Sequence, residues 1–457
     1  MSLREKITTL ISNYVLFHIV ALYFYLIRNP NTQEYFESNG ILYLGDVSID
    51  YAKDFINGIS STRYWMKVYL QSSKTGESRL RRDASKFDRP HTLLSLKGDY
   101  IVSKSLVWMQ GEDWKKTRTK FVSAFTPSKI KHNFDQNCRA KVYARCGGIR
   151  HIRPLNLETA SLQTCGPSRF EQLSAKFVFS FDNFGNWWKP GFIQWFPQIA
   201  TYFKITIIDK EVTEFYRNVG QIEINNSKEK KEVRDKNDFV GLVHSTWQEL
   251  YASHVVDRPD KEEWITANLC GMVLPAYKTT QTLISMCAYV LALHQDVQDK
   301  LREEVNALFE SNGDEFNLAA VSQMTYMDMV INETLRMYSP IGVVGRTCKT
   351  KYAVPDTTLV LKAGDVIFIP LYGLHYDEEY YPNPGVFDPE RFSGASKNFT
   401  FLPFSQGPRN CIGMRMGMLE TKIALCHVLR NFKLTPSSDT LIPMKFVNTQ
   451  FPGMDPE

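Results

Sequence analysis

The sequence predicts a mainly α-helical protein with a small β portion, built as one large domain. Residues 264–293 form an apolar run of helical character, longer than a typical globular helix unless it crosses the centre of a domain. Short strand-like segments follow at residues 352–354, 359–361 and 366–369, separated by Pro-Asp and Ala-Gly turns. A chain of 457 residues that is 43% hydrophobic can bury a large core.

The composition argues against several classes of protein. The net charge of +5 is small, and no basic stripe interleaved with aromatic residues is present, so we expect no nucleic-acid partner. The eight cysteines contain no C-x-x-C pair and no His/Cys spacing typical of zinc sites. Neither a disulfide framework nor a zinc finger is therefore predicted, and a reducing, cytosol-facing environment fits the chain better.

Residues 7–27 predict a membrane anchor. This apolar run lies between Lys6 and Arg28, and as a helix it would be roughly 30 Å long, enough to cross a bilayer core. Asn13 and His18 interrupt the run, so a buried or amphipathic helix is the alternative. No small-residue cleavage site follows, which argues against a cleaved signal peptide. We therefore expect an anchor at residues 1–28 and a catalytic domain at residues 29–457.

A cysteine loop near the C-terminus carries the strongest chemical signal. Residues 404–413 read FSQGPRNCIG and make Cys411 a candidate ligand of a haem iron. A thiolate ligand supplies electron density that favours cleavage of the O–O bond. Gly407 and Gly413 allow the backbone to fold tightly and aim N–H groups at the sulfur, and a helix predicted after Cys411 favours the anion. Arg409 can donate hydrogen bonds to a haem propionate.

The spacing within this loop identifies a family. A lone cysteine is more often an ordinary buried thiol. A match to F-x-x-G-x-R-x-C-x-G, however, should arise by chance on the order of once in ten thousand such chains. The loop resembles the cysteine loop of the cytochrome P-450 family, the haem-thiolate monooxygenases. The resemblance implies haem b as the cofactor, Phe404 and Cys411 in its binding loop, and the cytochrome P-450 fold with a single large haem domain.

Three further residues resemble the family's propionate-binding residues. Trp114 and Arg118 are four residues apart and so lie on one face of a predicted helix. They resemble the family's W-x-x-x-R pair, although a helical surface pair would look the same. Arg346 matches a third propionate position. In the family, basic residues near the first pair receive an acidic redox partner; here they would be Lys115, Lys116 and Lys120.

Glu333 and Arg336 form a candidate ion pair on one helix face. The E-x-x-R spacing is common, and Glu214 with Arg217 shows it too. Position distinguishes the two, because Glu333 precedes Arg391 in the sequence FDPERF and then the cysteine loop, in the order found in the family. The resemblance implies a buried network of Glu333, Arg336 and Arg391 beneath the haem.

The long apolar helix contains a second family motif. Pro275 should kink the helix, and Gly271 four residues earlier softens the clash with the proline ring. Residues 275–280, PAYKTT, resemble the family's oxygen-binding motif (A/G)-G-x-(D/E)-T-(T/S), which implies that Thr279 helps to deliver protons to oxygen. Ala276 replaces the motif's glycine and Lys278 replaces its acid. The alternative is a plain buried helix with helical threonines.

Two regions leave alternatives open. Residues 138–170 lose periodicity and hold three of the eight cysteines, which indicates either a true divergence or a mis-assembled coding sequence. Residues 186–203 are rich in aromatic residues and predict either ordinary core or a lid over a substrate channel that dips into the membrane surface. The resemblance to the family is nearly continuous over residues 264–434 and patchy before them.

The resemblance implies an enzyme that inserts one atom of O2 into a lipophilic foreign or hormone-like substrate. Electrons would come from NADPH through NADPH-cytochrome P-450 reductase, with cytochrome b5 as a further partner. The last helices resemble the microsomal clan that contains insect detoxification and vertebrate drug-metabolising enzymes. This implies the endoplasmic reticulum membrane, with the catalytic domain facing the cytosol. Two alternatives stay open: a reductase-independent haem-thiolate isomerase of peroxides, favoured by Lys278, and a haem-binding pseudoenzyme.

Overall fold

The computed structural model describes the chain from residue 89 onward, with gaps. The described ranges are 89–91, 98–130, 192–193, 196–208, 210–228, 239–251, 260–311, 318–353, 360–394, 400–438 and 440–444. The predicted anchor at residues 7–27 and the aperiodic segment at residues 138–170 lie outside the described residues. Within these ranges, no helix combines the length and the apolar character needed to cross a bilayer.

Helices dominate the described residues, and the predicted fold class is confirmed. The α-helices are α1 (Gly111–Val122), α2 (Pro197–Tyr202), α3 (Lys210–Lys228), α4 (Phe239–Tyr251), α5 (Lys261–Leu293), α6 (Gln295–Ser311), α7 (Leu318–Ser322), α8 (Thr325–Met337), α9 (Leu371–His375) and α10 (Met414–Asn431). Short 3-10 helices lie at Val102–Lys104, Ser123–Phe125 and Pro389–Phe392. The strands are β1 (Arg89–His91), β2 (Val343–Thr347), β3 (Tyr352–Ala353), β4 (Val360–Leu361) and β5 (Val366–Pro370).

Helix α5 is the predicted long helix, and it runs for 33 residues through Pro275. Its first turn is capped by Asp260, whose carboxylate accepts a hydrogen bond from the N–H of Glu263 at 2.8 Å. Gly271 has a packing role as well as easing the fit of the proline. A Cβ atom built on Gly271 would lie 2.6 Å from the Cβ of Ser105, so α5 approaches the segment before α1 too closely for any side chain.

The length of α5 is explained by the two hydrophobic cores that it joins. Trp264 and Leu269 in its first half pack in one core with Phe121, whose ring meets that of Trp264 edge to face at 6.2 Å. Leu283 and Leu291 in its second half belong to another core, built with residues of α6, α8 and α10. One helix therefore buries apolar surface at both ends, which stabilises it without a single amphipathic face.

The strands form two small antiparallel sheets. In the larger sheet β2 lies between β1 and β5, with Arg346 opposite Pro90 on one side and Ile367 on the other. The smaller sheet pairs β3 with β4. The three predicted strands are confirmed at β3, β4 and β5, whereas β2 was not predicted. Gly345 lies inside β2 and weakens the strand signal there.

Two buried polar side chains fix α10, the helix that follows the cysteine loop. Lys422 is 4% exposed and donates to the Asp328 carboxylate at 2.8 Å and to the carbonyls of Ser322 and Met324 at 3.3 Å. Gln298 of α6 accepts from the N–H of Leu434 at 2.9 Å and donates to its carbonyl at 2.8 Å. Because the side chains of Lys422 and Gln298 are buried, α10 cannot shift without leaving polar atoms unpaired.

Candidate active site

The cysteine loop closes on itself through backbone hydrogen bonds. The N–H of Cys411 donates to the carbonyl of Phe404 at 2.9 Å, and the N–H of Ser405 donates to the carbonyl of Leu402 at 2.9 Å. Gly407 has a φ of 81°, in the region that favours glycine, so the predicted need for glycine at that position is confirmed. The loop is thus a defined turn that presents Cys411 at the start of α10.

Opposing effects set the pKa of the Cys411 thiol. Burial raises this pKa, and the N–H groups of Gly413 and Met414 and the charge of Arg118 lower it by a smaller amount. The side chain nevertheless keeps an exposed surface, so protein surrounds the sulfur on most but not all sides. The helix N-terminus therefore favours the thiolate as predicted, but it does not outweigh burial. Binding of a metal cation at the sulfur would favour the thiolate over the thiol.

Gly413 departs from the sequence prediction. Its φ of −90° is open to any residue, and a Cβ atom added there would meet no atom within 4 Å. The described backbone therefore does not require glycine at this position. What Gly413 contributes is its N–H group, which forms the hydrogen bond that lowers the pKa of Cys411.

Trp114 and Arg118 of α1 lie against the cysteine loop. The Arg118 guanidinium donates to the backbone carbonyl of Asn410 at 2.8 Å and to its side-chain Oδ1 at 2.6 Å. The guanidinium carbons of Arg118 and Arg409 lie 5.9 Å and 3.8 Å from the centre of the buried Trp114 ring. The predicted pair thus lies on one helix, as expected, and two positive charges gather beside the residue that precedes Cys411.

Arg346 approaches the same loop from β2. Its guanidinium donates to the Ser405 hydroxyl at 2.9 Å. Burial lowers the pKa of both Arg118 and Arg346, yet an arginine remains charged at neutral pH. No carboxylate among the described residues lies within 4 Å of either guanidinium, so two half-buried cations there lack an anionic partner. Haem carries two propionates, so this donor set and Cys411 fit the group.

Arg409 ties the cysteine loop to the segment before α1. Its guanidinium donates to the carbonyl of Met109 at 2.5 Å. From the other side Asn268 of α5 accepts from the N–H of Leu106 at 2.9 Å and donates to the carbonyl of Lys104 at 3.2 Å. Residues 104–109 are therefore held between α5 and the loop. A role of Arg409 toward a propionate stays a prediction; its guanidinium contacts this backbone and the Trp114 ring.

The predicted ion-pair network forms as a unit. Glu333 and Arg336 are both 0% exposed, and their carboxylate and guanidinium make two hydrogen bonds of 2.8 Å. The Nε of Arg391 lies 3.4 Å from Glu333, and its terminal nitrogens donate to the carbonyls of Pro382 and Asn383 at 2.6 Å and 3.0 Å. The other E-x-x-R match forms no such pair, since Arg217 binds Glu262 of α5 at 2.8 Å.

The sequence analysis missed His375 at the end of α9. This fully buried ring lies between the carbonyl of Arg336, 3.2 Å from Nδ1, and the N–H of Leu402, 3.1 Å from Nε2. Burial lowers the pKa of His375 to about 3, so the ring is neutral at physiological pH. A lone histidine has no partner at a fixed spacing, so no signal in the sequence marks this residue.

Thr279 lies in α5, on the part of that helix near α10. Its hydroxyl donates to the carbonyl of Pro275 at 2.5 Å, a bond to the residue four positions earlier. A Cβ atom built on Gly417 of α10 would lie 3.7 Å from the hydroxyl of Thr280, which shows how near the two helices come at this level. Lys278 lies in the same helix, but the placement of its side chain is outside the described residues.

Replacing Glu333 with Gln should lower the free energy of unfolding by about 3–5 kcal/mol, because it leaves two buried guanidinium groups without their shared carboxylate. Urea denaturation followed by circular dichroism measures this value. Glu214→Gln is the matched control, since the same motif lies exposed on α3, and should change the value by less than about 0.5 kcal/mol. Equal effects of the two substitutions would show that the network does not stabilise the fold.

Comparison with known proteins assigns the family. The model of the family "Cytochrome P-450" matches residues 170–453. Cytochrome P-450 6k1 of Blattella germanica is 30% identical over 406 residues, covering 80% of this chain and 76% of the relative. Cytochrome P-450 3A9 of Rattus norvegicus is 31% identical over 376 residues, covering 76% and 72%. The chain therefore belongs to the cytochrome P-450 family, the haem-dependent monooxygenases, as its cysteine loop predicted.

Proposed function

We propose that this protein binds haem b through Cys411 and inserts one oxygen atom of O2 into a lipophilic foreign or hormone-like compound, with NADPH-derived electrons. One observation carries the proposal. A closed loop presents Cys411 to the N–H groups that begin α10, and the guanidinium groups of Arg118 and Arg346, half-buried without a described carboxylate, lie beside that loop. A sulfur ligand for the iron and cations for the two propionates are what a haem-thiolate site provides.

In this mechanism each residue has a distinct task. Haem, when bound, supplies the activation of O2. Arg118 and Arg346 would each orient one propionate by charge-assisted hydrogen bonds, and Arg409 and Trp114 would close the same side. Thr279 holds a proton on its hydroxyl, which it now donates to the carbonyl of Pro275. To pass a proton toward oxygen, this hydroxyl must rotate away from the carbonyl of Pro275. That carbonyl has no proton to donate, so another group must reprotonate Thr279.

Electrons would enter on the face that α1 and the cysteine loop share. Lys115 is 70% exposed and lies 3.9 Å from Glu112, a distance too long for a strong pair, and Lys116 is also exposed. Lys120 is different, because it already pairs with Glu249 of α4. These features support an acidic reductase, with cytochrome b5 as a second partner.

A membrane position is supported by an exposed apolar surface on and around α2. Tyr202 is 81% exposed and Phe203 67% exposed, and Phe196 and Ile199 are also exposed. Ile193 and Ala200 of the same region are buried in the first core, so these four side chains form the exposed side of a segment that is packed on its other side. We propose that this surface rests on the endoplasmic reticulum membrane, with residues 1–28 as the anchor and residues 29–457 as a cytosol-facing catalytic domain.

The runner-up function is a haem-thiolate isomerase that rearranges a peroxide without a reductase. The residue that favours it is Lys278, which stands where the family motif has an acid. The hydroxyl of Thr279 favours the monooxygenase, since an isomerase has no protons to deliver to O2. Consumption of NADPH by the purified protein with its reductase separates the two functions.

Replacing Cys411 with Ala should abolish the thiolate-type absorbance spectrum of the reduced, CO-bound protein, together with monooxygenase activity. The substitution removes the sulfur ligand of the iron. The N–H groups of Gly413 and Met414 would then face a methyl group. Cys426→Ala is the control, since this buried thiol lies on α10 against Met324 and should keep the spectrum. A thiolate-type spectrum in the Cys411 variant would disprove the assignment.

Replacing Lys278 with Glu should raise the ratio of product formed to NADPH consumed several-fold, and Thr279→Ala should lower it. Cleavage of O2 consumes two protons, which a carboxylate beside the threonine can relay, whereas an ammonium donates one readily only if burial lowers its pKa. We expect the natural protein to bind haem normally, and much of the NADPH that it consumes to appear as hydrogen peroxide. Tight coupling in the natural protein, with less product from Lys278→Glu, would contradict this.

Reversing the charges of Lys115 and Lys116 to Glu should slow reductase-driven turnover about tenfold at low salt and much less at high salt, because screening removes the attraction that brings the partners together. Stopped-flow reduction of the haem measures the rate. Lys362→Glu, an exposed lysine on the turn before β5, is the control and should leave the rate unchanged. Equal rates for all three proteins would exclude this face.

Replacing Tyr202 and Phe203 with Asp in a chain that lacks residues 1–28 should release the protein from phospholipid vesicles, measured by co-sedimentation. Two exposed rings lose the apolar surface that would enter the interface. The control replaces Leu441 and Ile442, which are also exposed apolar residues, and should keep the binding. If alkaline carbonate extracts the full-length protein from membranes, the proposed anchor is wrong.

A further inference from the structure

His375 and Arg336 form a reciprocal contact between α9 and α8. The terminal nitrogen Nη1 of Arg336 donates to the backbone carbonyl of His375 at 2.9 Å. The Nδ1 of His375 lies 3.2 Å from the backbone carbonyl of Arg336. Each side chain therefore binds the other residue's main chain, and both side chains are fully buried. The backbone of His375 is thus held by the same guanidinium that pairs with Glu333, and its imidazole is held by the backbone carbonyl of Arg336.

The other ring nitrogen of His375 contacts Leu402, which lies two residues before the cysteine loop begins. The N–H of Leu402 points at Nε2 of His375 at 3.1 Å. A backbone N–H can only donate, so Nε2 is the acceptor and Nδ1 carries the proton that goes to Arg336. One tautomer satisfies both contacts. The rings of Phe401 and Tyr381 lie 5.5 Å and 6.5 Å from the imidazole and limit its rotation.

Two backbone hydrogen bonds connect the segment that begins at Leu402 with Cys411. The carbonyl of Leu402 accepts from the N–H of Ser405, whose hydroxyl accepts from Arg346 at 2.9 Å. The carbonyl of Phe404 accepts from the N–H of Cys411 at 2.9 Å. A displacement of Leu402 would therefore move both ends of the loop. His375 is the one described side chain that binds the backbone of Leu402 and so couples the loop to the buried ion pair.

We propose that His375 is a positioning residue for the Cys411 sulfur. It acts through Leu402 and touches neither the haem nor the substrate. The inference rests on the proposed function, in which Cys411 is the iron ligand. Loss of the Leu402 contact should let the backbone around Leu402 shift, so that the sulfur is displaced from the iron more readily. Loss of the Arg336 contact alone should not have this effect.

The two edges of the ring can be tested separately. In His375→Gln the side-chain carbonyl can reach the place of Nε2 and accept from the N–H of Leu402. The backbone carbonyl of Arg336 then has no donor in place of Nδ1. In His375→Asn the amide can reach the place of Nδ1 and donate to Arg336, but nothing accepts from Leu402. Each variant loses one buried hydrogen bond, worth about 1 kcal/mol. A purely structural role predicts the same outcome for both variants.

The experiment measures the reduced, CO-bound spectrum of the haem-loaded protein during mild heating. We expect His375→Asn to convert from the thiolate-type to the thiol-type spectrum several-fold faster than the natural protein, and His375→Gln to stay within about twofold. Urea unfolding should show similar losses of stability for both. Tyr372→Phe is the matched control, because it removes a hydrogen bond of 2.6 Å from the same helix to Ser339 and leaves Leu402 untouched.

Equal conversion rates for the Asn, Gln and Phe variants would overturn the proposal. If the Asn variant does not fold, nitrogen NMR of the diamagnetic CO-bound natural protein decides the question, since a proton on Nε2 of His375 is incompatible with acceptance from Leu402. A natural protein that binds haem but never shows the thiolate-type spectrum would refute the proposed function itself. A thiolate-type spectrum with no difference between Asn and Gln would refute only the role of His375.

Discussion

The carboxylate of Glu333 imposes the constraint on which the rest of the structure depends. An ion removed from water must have its hydrogen-bonding positions filled, or its burial costs several kcal/mol. Here Arg336 fills two of these positions, and the N–H of Asp388 donates to a third at 3.0 Å. The remaining donors of Arg336 bind the carbonyls of His375 and Pro384. Segments far apart in sequence are thereby held at one point beneath the cysteine loop.

Local spacing was enough to predict the elements nearest the chemistry. The long helix, the strands at residues 352–369 and the helix after Cys411 follow from apolar periodicity and from turn residues a few positions apart. Glu333 and Arg336 were recognised because i,i+3 neighbours share a helix face. The second E-x-x-R match shows the limit of such reasoning. The same spacing put Glu214 at the surface, and only the order of motifs along the chain distinguished the two pairs before the structure did.

What the sequence could not predict depends on contacts between distant segments. His375 is 39 residues from Arg336 and 27 from Leu402, so its two partners are not visible in any local pattern. The contacts of Arg409 with residues 106–109 span about 300 residues. Gly413 shows the reverse case. A glycine that suggested a strained turn has an ordinary backbone, and its importance lies in an N–H group that every residue except proline would provide.

Pro275 divides the long helix into two units that can open separately. Its ring nitrogen has no hydrogen to donate to the carbonyl of Gly271, so the ladder of helical hydrogen bonds is interrupted there. The interruption lies between Met272, in the first hydrophobic core, and Leu283, in the second. Each half of α5 is therefore stabilised mainly by its own core. We expect local opening of one half to break contacts in one core only, so that the backbone amides protected by a bound ligand can differ between the two halves.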